Sequence, residues 1–265
     1  MPTESTGVGG VALFLFAHQD DEFGVFDVIE QCRSRQMQIE CAYFTRGTPE
    51  LRARRNEESR RVLHTLGVSE RMIAFAGDEL GIDDGKLSLH LDVAFAWLLA
   101  WAARSEKIDL ICIPAWEGGH HDHDALHALA VGMAEKVGML ARLRQYALYN
   151  RRKRIGPFFN VLSPLAENGD IYSNVIGWRK RFKYLRLCLS YPSQRGTWIG
   201  LFPFVLLRYL VHGTQTLQKV DPQRILERPH PGLLYYEYRQ FERWDRMAAR
   251  LKAWRDSAKS GPGIE

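Results

Sequence analysis

The stretch Val11-Ala12-Leu13-Phe14-Leu15-Phe16-Ala17-His18-Gln19-Asp20-Asp21-Glu22 sets an apolar run directly against one imidazole and three consecutive carboxylates. Six apolar residues in a row, β-branched or aromatic in part, read as a strand covered on both faces of a sheet. Four ionisable groups at the end of such a strand are costly unless they are solvated, paired or bound to a cation. In open α/β sheets the carboxyl ends of parallel strands are where ligands bind. The expectation is half of a metal site at this strand end, with the other half supplied from elsewhere in the chain.

Outward from that point, strands are expected over residues 39–44, 72–76 and 109–114. Helices are expected after Glu22 and over residues 49–66 and 89–104, with a polar loop over 77–85. Strands alternating with helices imply right-handed crossovers and a parallel sheet. The expected fold class is α/β: a Rossmann-like parallel sheet flanked by helices over residues 1–150. A basic extension of mixed α/β structure, residues 151–265, is expected to pack on it and shape the substrate site, within one structural domain. In that extension, 179–190 reads as a basic helix, 198–211 as an apolar run, 233–238 as a late strand and 240–258 as an amphipathic helix; 144–149, just before it, reads as a strand.

The strand at 109–114 runs into Trp116-Glu117-Gly118-Gly119-His120-His121-Asp122-His123-Asp124, ahead of a helix expected over 125–137. First and fourth strands commonly neighbour each other at the switch point of a doubly wound sheet, so the two charged ends can meet around one ion. Two imidazoles and a carboxylate leave an open position, the composition of a catalytic zinc site. A carboxylate next to a ligand can take a proton from an activated water, and a further histidine can stabilise an oxyanion or protonate a leaving group. Any one of Asp20, Asp21 and Glu22 alone is better explained as a helix cap. Two such clusters at two strand ends are not, although a metal site that only binds has the same spacing.

The net charge of +5 is unevenly spread: residues 1–140 hold 13 Lys/Arg against 22 Asp/Glu, and residues 141–265 hold 23 against 9. The second half therefore suits an anionic partner or is simply a solvated basic surface. Cys32, Cys41, Cys112 and Cys188 lie far apart without CxxC spacing and read as buried thiols of a reducing compartment. No basic segment precedes the first apolar run, so a cytoplasmic location is expected, with the inner membrane face as a site of peripheral contact.

His18-Gln19-Asp20-Asp21-Glu22 resembles the His-Pro-Asp-Asp-Glu signature of the PIG-L/LmbE family of zinc-dependent N-deacetylases. His120-His121-Asp122-His123 is similar to that family's second signature, His-x-Asp-His. Thr45-Arg46-Gly47 and Arg55-x-x-Glu58 ahead of Leu66-Gly67 also resemble family features, as do Tyr191-Pro192-Ser193-Gln194 and Tyr236-Glu237 more faintly. The resemblance implies His18, Asp21 and His123 as zinc ligands and Asp20 as the general base on the zinc-bound water. It implies His120 as acid or oxyanion stabiliser, tuned by Asp122, with Arg55 and Asp84 facing substrate and Glu22 and Arg46 either structural or substrate-facing. Gln19 departs from the family, where a proline fixes the backbone.

The reaction implied is hydrolysis of the N-acetyl group of an N-acetylglucosamine-type sugar, free, conjugated or lipid-linked. Zinc is the expected cofactor, although such a donor set also takes iron, cobalt or manganese. The competing readings are a non-catalytic metal-binding member of the family and a metal amidohydrolase acting on a non-sugar amide. Lys180, Arg181, Lys183 and Arg186, followed by the 198–211 run, suit an anionic membrane or a lipid-pyrophosphate; the alternative is a core helix with basic flanks. No nucleic-acid module accompanies the charge, and the oligomeric state is open.

Overall fold

β1 (Gly9–Phe16) lies at the centre of a seven-stranded sheet in a computed structural model that describes residues 9–260. The chain continues through α1 (Phe26–Ser34), β2 (Met37–Tyr43), α2 (Arg52–Thr65), β3 (Ile73–Phe75), α3 (Ala76–Leu80), α4 (Leu91–Ala102) and β4 (Ile108–Pro114). Next come α5 (His121–Lys136), β5 (Leu143–Tyr146), a small ribbon of β6 (Tyr149–Asn150) and β7 (Asn160–Val161), then β8 (Ile171–Val175). α6 (Trp178–Cys188), α7 (Arg195–Val211), β9 (Thr214–Lys219), α8 (Tyr235–Tyr238) and α9 (Trp244–Ser260) complete the order. The sheet runs β3-β2-β1-β4-β5-β9-β8, parallel from β3 to β5 and antiparallel at β9 and β8. This is the expected α/β class, a mostly parallel sheet flanked by helices.

The period of a strand explains why the opening run is apolar throughout. Ala12, Phe14 and Phe16 face one layer with Phe26 and Ile29 of α1, whereas Leu13, Leu15 and Ala17 face the other with Leu98 of α4 and Leu129 of α5. Both faces are covered, so no position of β1 can be polar until the strand ends. β1 pairs directly with β4, Phe14 opposite Cys112, which brings their carboxyl ends side by side.

Three expectations need correcting. Residues 77–85 are not all loop: α3 occupies the start and ends at Gly81, whose φ of 70° gives the left-handed stop. The helix expected over 125–137 begins at His121, so His123 sits in its first turn. Within 233–238, where a strand was expected, Tyr235–Tyr238 form the short helix α8, because Glu237 turns back to accept the Leu234 amide at 3.1 Å and closes the turn. β8 and β9 were not anticipated. All five residues of β8 are exposed on the sheet edge, so the segment carries no apolar pattern to read.

Candidate metal centre

β1 and β4 deliver the two charged segments to the same place. Past Phe16 the chain makes a single 3-10 turn, Asp21–Gly24, which folds Asp21 back so that its Oδ2 accepts the His18 amide at 2.8 Å. His123 reaches in from the first turn of α5. Its Nε2 lies 3.0 Å from Asp21 Oδ1 and 3.1 Å from His18 Nδ1. Ligand atoms of His18, Asp21 and His123 all fall within 4.8 Å of one another, and all three residues are buried. Two imidazole nitrogens and a carboxylate oxygen converge on one point, which is the donor set of a transition-metal site. The three residues fit a transition-metal ion.

Asp122 sits behind this point. Its Oδ2 is 3.1 Å from His18 Nε2 and accepts the Gly85 amide at 2.6 Å, while Oδ1 accepts the Leu87 amide at 3.1 Å. Its distance to His120 Nδ1 is 3.8 Å. The same carboxylate orients His18, the arrangement by which outer carboxylates fix a ligating imidazole, and its charge also acts on His120, opposing the downward push of burial there. His120 caps α5: its Nδ1 accepts the Asp122 amide at 3.2 Å. A neutral His120 therefore carries its proton on Nε2.

The electrostatics follow from burial opposed by pairing. Burial disfavours the charged form of His18, but Asp122 and Asp21 outweigh it and hold its pKa well above the ordinary histidine value. Burial likewise opposes the charges of Asp21 and Asp122, yet the facing histidines keep both well below the usual carboxylate range. Burial, then the charge of His18, pushes His120 well below the ordinary value, so it is neutral. Burial and the charge of Asp21 raise Asp20 well above the carboxylate range, against the pull of Arg55. A cation held here would take over the pairing that the carboxylates of Asp21 and Asp122 find in the facing histidines.

Asp20 stands apart in its backbone. Its φ of 121° is far from any region a non-glycine residue prefers, a strain of about 1–3 kcal/mol that persists only where the surroundings enforce it. They do: the Asp20 amide donates to Glu22 Oε2 at 2.8 Å, and the Gln19 carbonyl accepts from Gln194 Nε2. Glu22 is wholly buried, bonded to the Tyr43 hydroxyl, and burial raises its pKa to about 6; it supports the turn from beneath.

Gln19 replaces the rigidity of a proline with hydrogen bonds. Its fully buried side chain donates to the Thr45 carbonyl at 3.1 Å and to Asn56 Oδ1 at 2.9 Å, tying the turn to the end of β2 and to α2. Gln19→Ala is expected to lower unfolding free energy by about 1–3 kcal/mol, because two buried acceptors lose their donor. Urea denaturation measures this; an unchanged midpoint would show that these bonds do not hold the turn.

A cleft of about 390 Å³ opens over the cluster, lined on the core side by His18, Asp20, Asp21, His120, Arg55 and Asp84. Arg55 is ion-paired to Asp84, which also accepts from Thr45 Oγ1 at 2.7 Å. Arg46, read as either structural or substrate-facing, does not line this cleft. It points away to Asp83 at 2.7 Å, because its neighbour Thr45 takes the inward side of the extended segment. The opposite wall comes from the second half of the chain: Tyr149, Phe159, Tyr235 and Phe241, with Gln194 and Arg239. Sequence reasoning missed these aromatics; they lie in segments of no shared period, and only the clustering of aromatic residues there could have signalled them.

The fold and site define the class: an α/β sheet whose neighbouring strands β1 and β4 carry, at their carboxyl ends, a His/Asp/His cluster that could hold a metal ion. Residues 13–134, which contain both clusters, match the model of the family described as PIG-L: GlcNAc-PI de-N-acetylase. A search of curated proteins gives no match. Among solved structures the fold resembles the A40926 pseudoaglycone deacetylase, at 16% identity and a TM-score of 0.59, covering 82% of this chain and 98% of that one. It also resembles the N,N'-diacetylchitobiose deacetylase from Pyrococcus horikoshii, at 14% identity and a TM-score of 0.56, covering 81% and 85%. A third similar fold is the zinc-inhibited form of teicoplanin deacetylase, at 13% identity and a TM-score of 0.57, covering 79% and 98%.

Proposed function

We propose that this protein is a metal-dependent deacetylase that hydrolyses the N-acetyl group of an N-acetylglucosamine-type sugar, free, conjugated or lipid-linked. The observation that carries the reading is the division of the cluster. Asp20 and His120 reach the cleft, whereas His123 and Asp122 lie behind it. A site that only binds a metal has no use for a strained carboxylate and a neutral imidazole on its open side. The family match and the sugar-linked deacetylases among the similar folds support the same reaction.

A divalent cation held by His18, Asp21 and His123 would supply Lewis acidity and an activated water. Asp20, with its raised proton affinity, takes the proton as the water attacks the acetamide carbon. His120, neutral and protonated on Nε2, donates to the developing oxyanion. The amine departs as the C–N bond breaks, protonated by the proton that Asp20 took from the water. Asp84, anchored by Arg55 and Thr45, is placed to accept a sugar hydroxyl, and the aromatic wall covers the ring from the other side.

Amine release from N-acetylglucosamine compounds, with and without a chelator, tests the proposal. Turnover that chelation removes and a single added metal restores is the expected result. Zinc, iron, cobalt and manganese belong in the panel, the more so because one similar fold is known in a zinc-inhibited form. Release from non-sugar acetamides alone would reassign the substrate, and stoichiometric metal without turnover would refute catalysis.

A further inference from the structure

Between Asp170 and Asp221 the chain contains no Asp or Glu but eight Lys or Arg residues. The fold concentrates this segment into α6, α7 and the two antiparallel strands at one end of the sheet, β9 and β8. Some of the cations are spoken for: Lys180 meets Asp27 at 2.7 Å, Lys183 meets Glu30 at 2.5 Å, and Arg181 donates to the carbonyls of Ile176 and Tyr209. Arg179, Arg186 and Arg195 are exposed and face no carboxylate among the described residues. Arg179 and Arg186 lie beside Phe182 along one side of α6.

α7 has two faces. Trp198, Leu201, Val205 and Tyr209 are buried, four residues apart or nearly so, and fix the helix to the core. The outward stripe repeats the same period with Ile199, Pro203, Leu207 and Val211, and Ile199 is 76% exposed and Val211 64%. An apolar groove of about 350 Å³ joins this stripe to the end of α6 through Leu189, Arg195 and Ile199. The same two turns of α7 turn Gly196, Thr197 and Gly200 toward the catalytic cleft. No helix among the described residues is long and apolar enough to cross a membrane. A basic, aromatic and aliphatic face without acids is instead the composition that lies flat in a lipid interface.

We propose that the α6–α7 face docks this protein on an anionic lipid bilayer, with Trp178, Phe182, Ile199 and Leu207 entering the interface and Arg179, Arg186 and Arg195 meeting lipid phosphates. Docked in this way, the mouth of the cleft stands at the lipid surface, since α7 borders both. Charge separates this occupant from a second copy of the chain. A two-fold contact would set the three unpaired guanidiniums against one another with no carboxylate to receive them. The inference rests on this surface and not on the deacetylase reading, so a binding measurement tests it independently.

Flotation of the full chain with vesicles of phosphatidylcholine, alone or mixed with phosphatidylglycerol, is the experiment. Binding to the mixed vesicles at low salt, loss of it at high salt and no binding to phosphatidylcholine alone are expected. Arg179→Ala with Arg186→Ala is expected to weaken partitioning about 25-fold, on the order of fivefold for each basic side chain at the surface. Ile199→Glu with Leu207→Glu should abolish it. Circular dichroism checks the fold of each variant, and if the glutamate pair fails to fold, the exposed arginine pair still decides. Absence of flotation at low salt, equal flotation with neutral vesicles, or a concentration-dependent dimer that Ile199→Glu dissolves would overturn the proposal.

Discussion

Asp20→Asn is expected to lower the rate of amine release by about 10²–10⁴-fold, the range of a lost general base, with metal content and thermal stability unchanged. Asparagine keeps the shape of the side chain and tolerates positive φ at least as well as aspartate, so the strained backbone at 121° survives the exchange. The Asp20 amide bond to Glu22 Oε2 involves no side-chain atom of Asp20 and is retained. What disappears is a carboxylate that burial and Asp21 have made a better proton acceptor than an ordinary one. The sign of the pH dependence follows. The base must be ionised to act, so wild-type activity falls as pH drops through a pKa raised above the usual carboxylate range, and the residual activity of the variant lacks that limb. Steady-state kinetics on metal-loaded protein measure both. Full activity in Asp20→Asn would show that another group takes the proton.

The strand ends were the most legible part of the molecule, for a physical reason. A strand covered on both faces cannot hold a charge, so the change from Phe16 to His18 marks its end and its environment together. The neighbouring of β1 and β4 followed from the order of alternating elements and needed no side-chain detail. The contacts within the cluster were not legible, because spacing cannot show which nitrogen of an imidazole faces which oxygen. Asp122 illustrates this. Its place in the second motif suggested a partner in His120, two residues before it; the first turn of α5 also directs its carboxylate across to His18 and the amides of Gly85 and Leu87, contacts that spacing does not show. Spacing left Arg46 open between a structural and a substrate-facing place for a related reason, since one step along an extended chain reverses the side a residue faces. The aromatic wall was hidden because it is assembled from a ribbon, a short helix and a loop that share no period.

Replacing the two histidines flanking His18 should separate metal binding from chemistry. His123→Ala is expected to abolish stoichiometric metal and with it all amine release; His120→Ala is expected to keep the metal and lose about 10²–10³-fold in rate, as for a missing oxyanion donor. The contrast is informative because a second group of possible ligands exists around the same imidazole: His18 with His120 and Asp122. The hydrogen bonds argue against that group. His120 Nδ1 already accepts the Asp122 amide, and both oxygens of Asp122 accept backbone amides of residues 85 and 87. A metal there would have to displace the cap of α5 and release the loop that Asp122 holds, leaving buried amides without acceptors at about 1–3 kcal/mol each. At the first group Asp21 gives up only the side-chain hydrogen bond of Oδ1 with His123 and retains the His18 amide on Oδ2. Metal content by elemental analysis, read beside the rate, distinguishes the two: retention in His123→Ala with loss in His120→Ala would move the ion to the far side of His18.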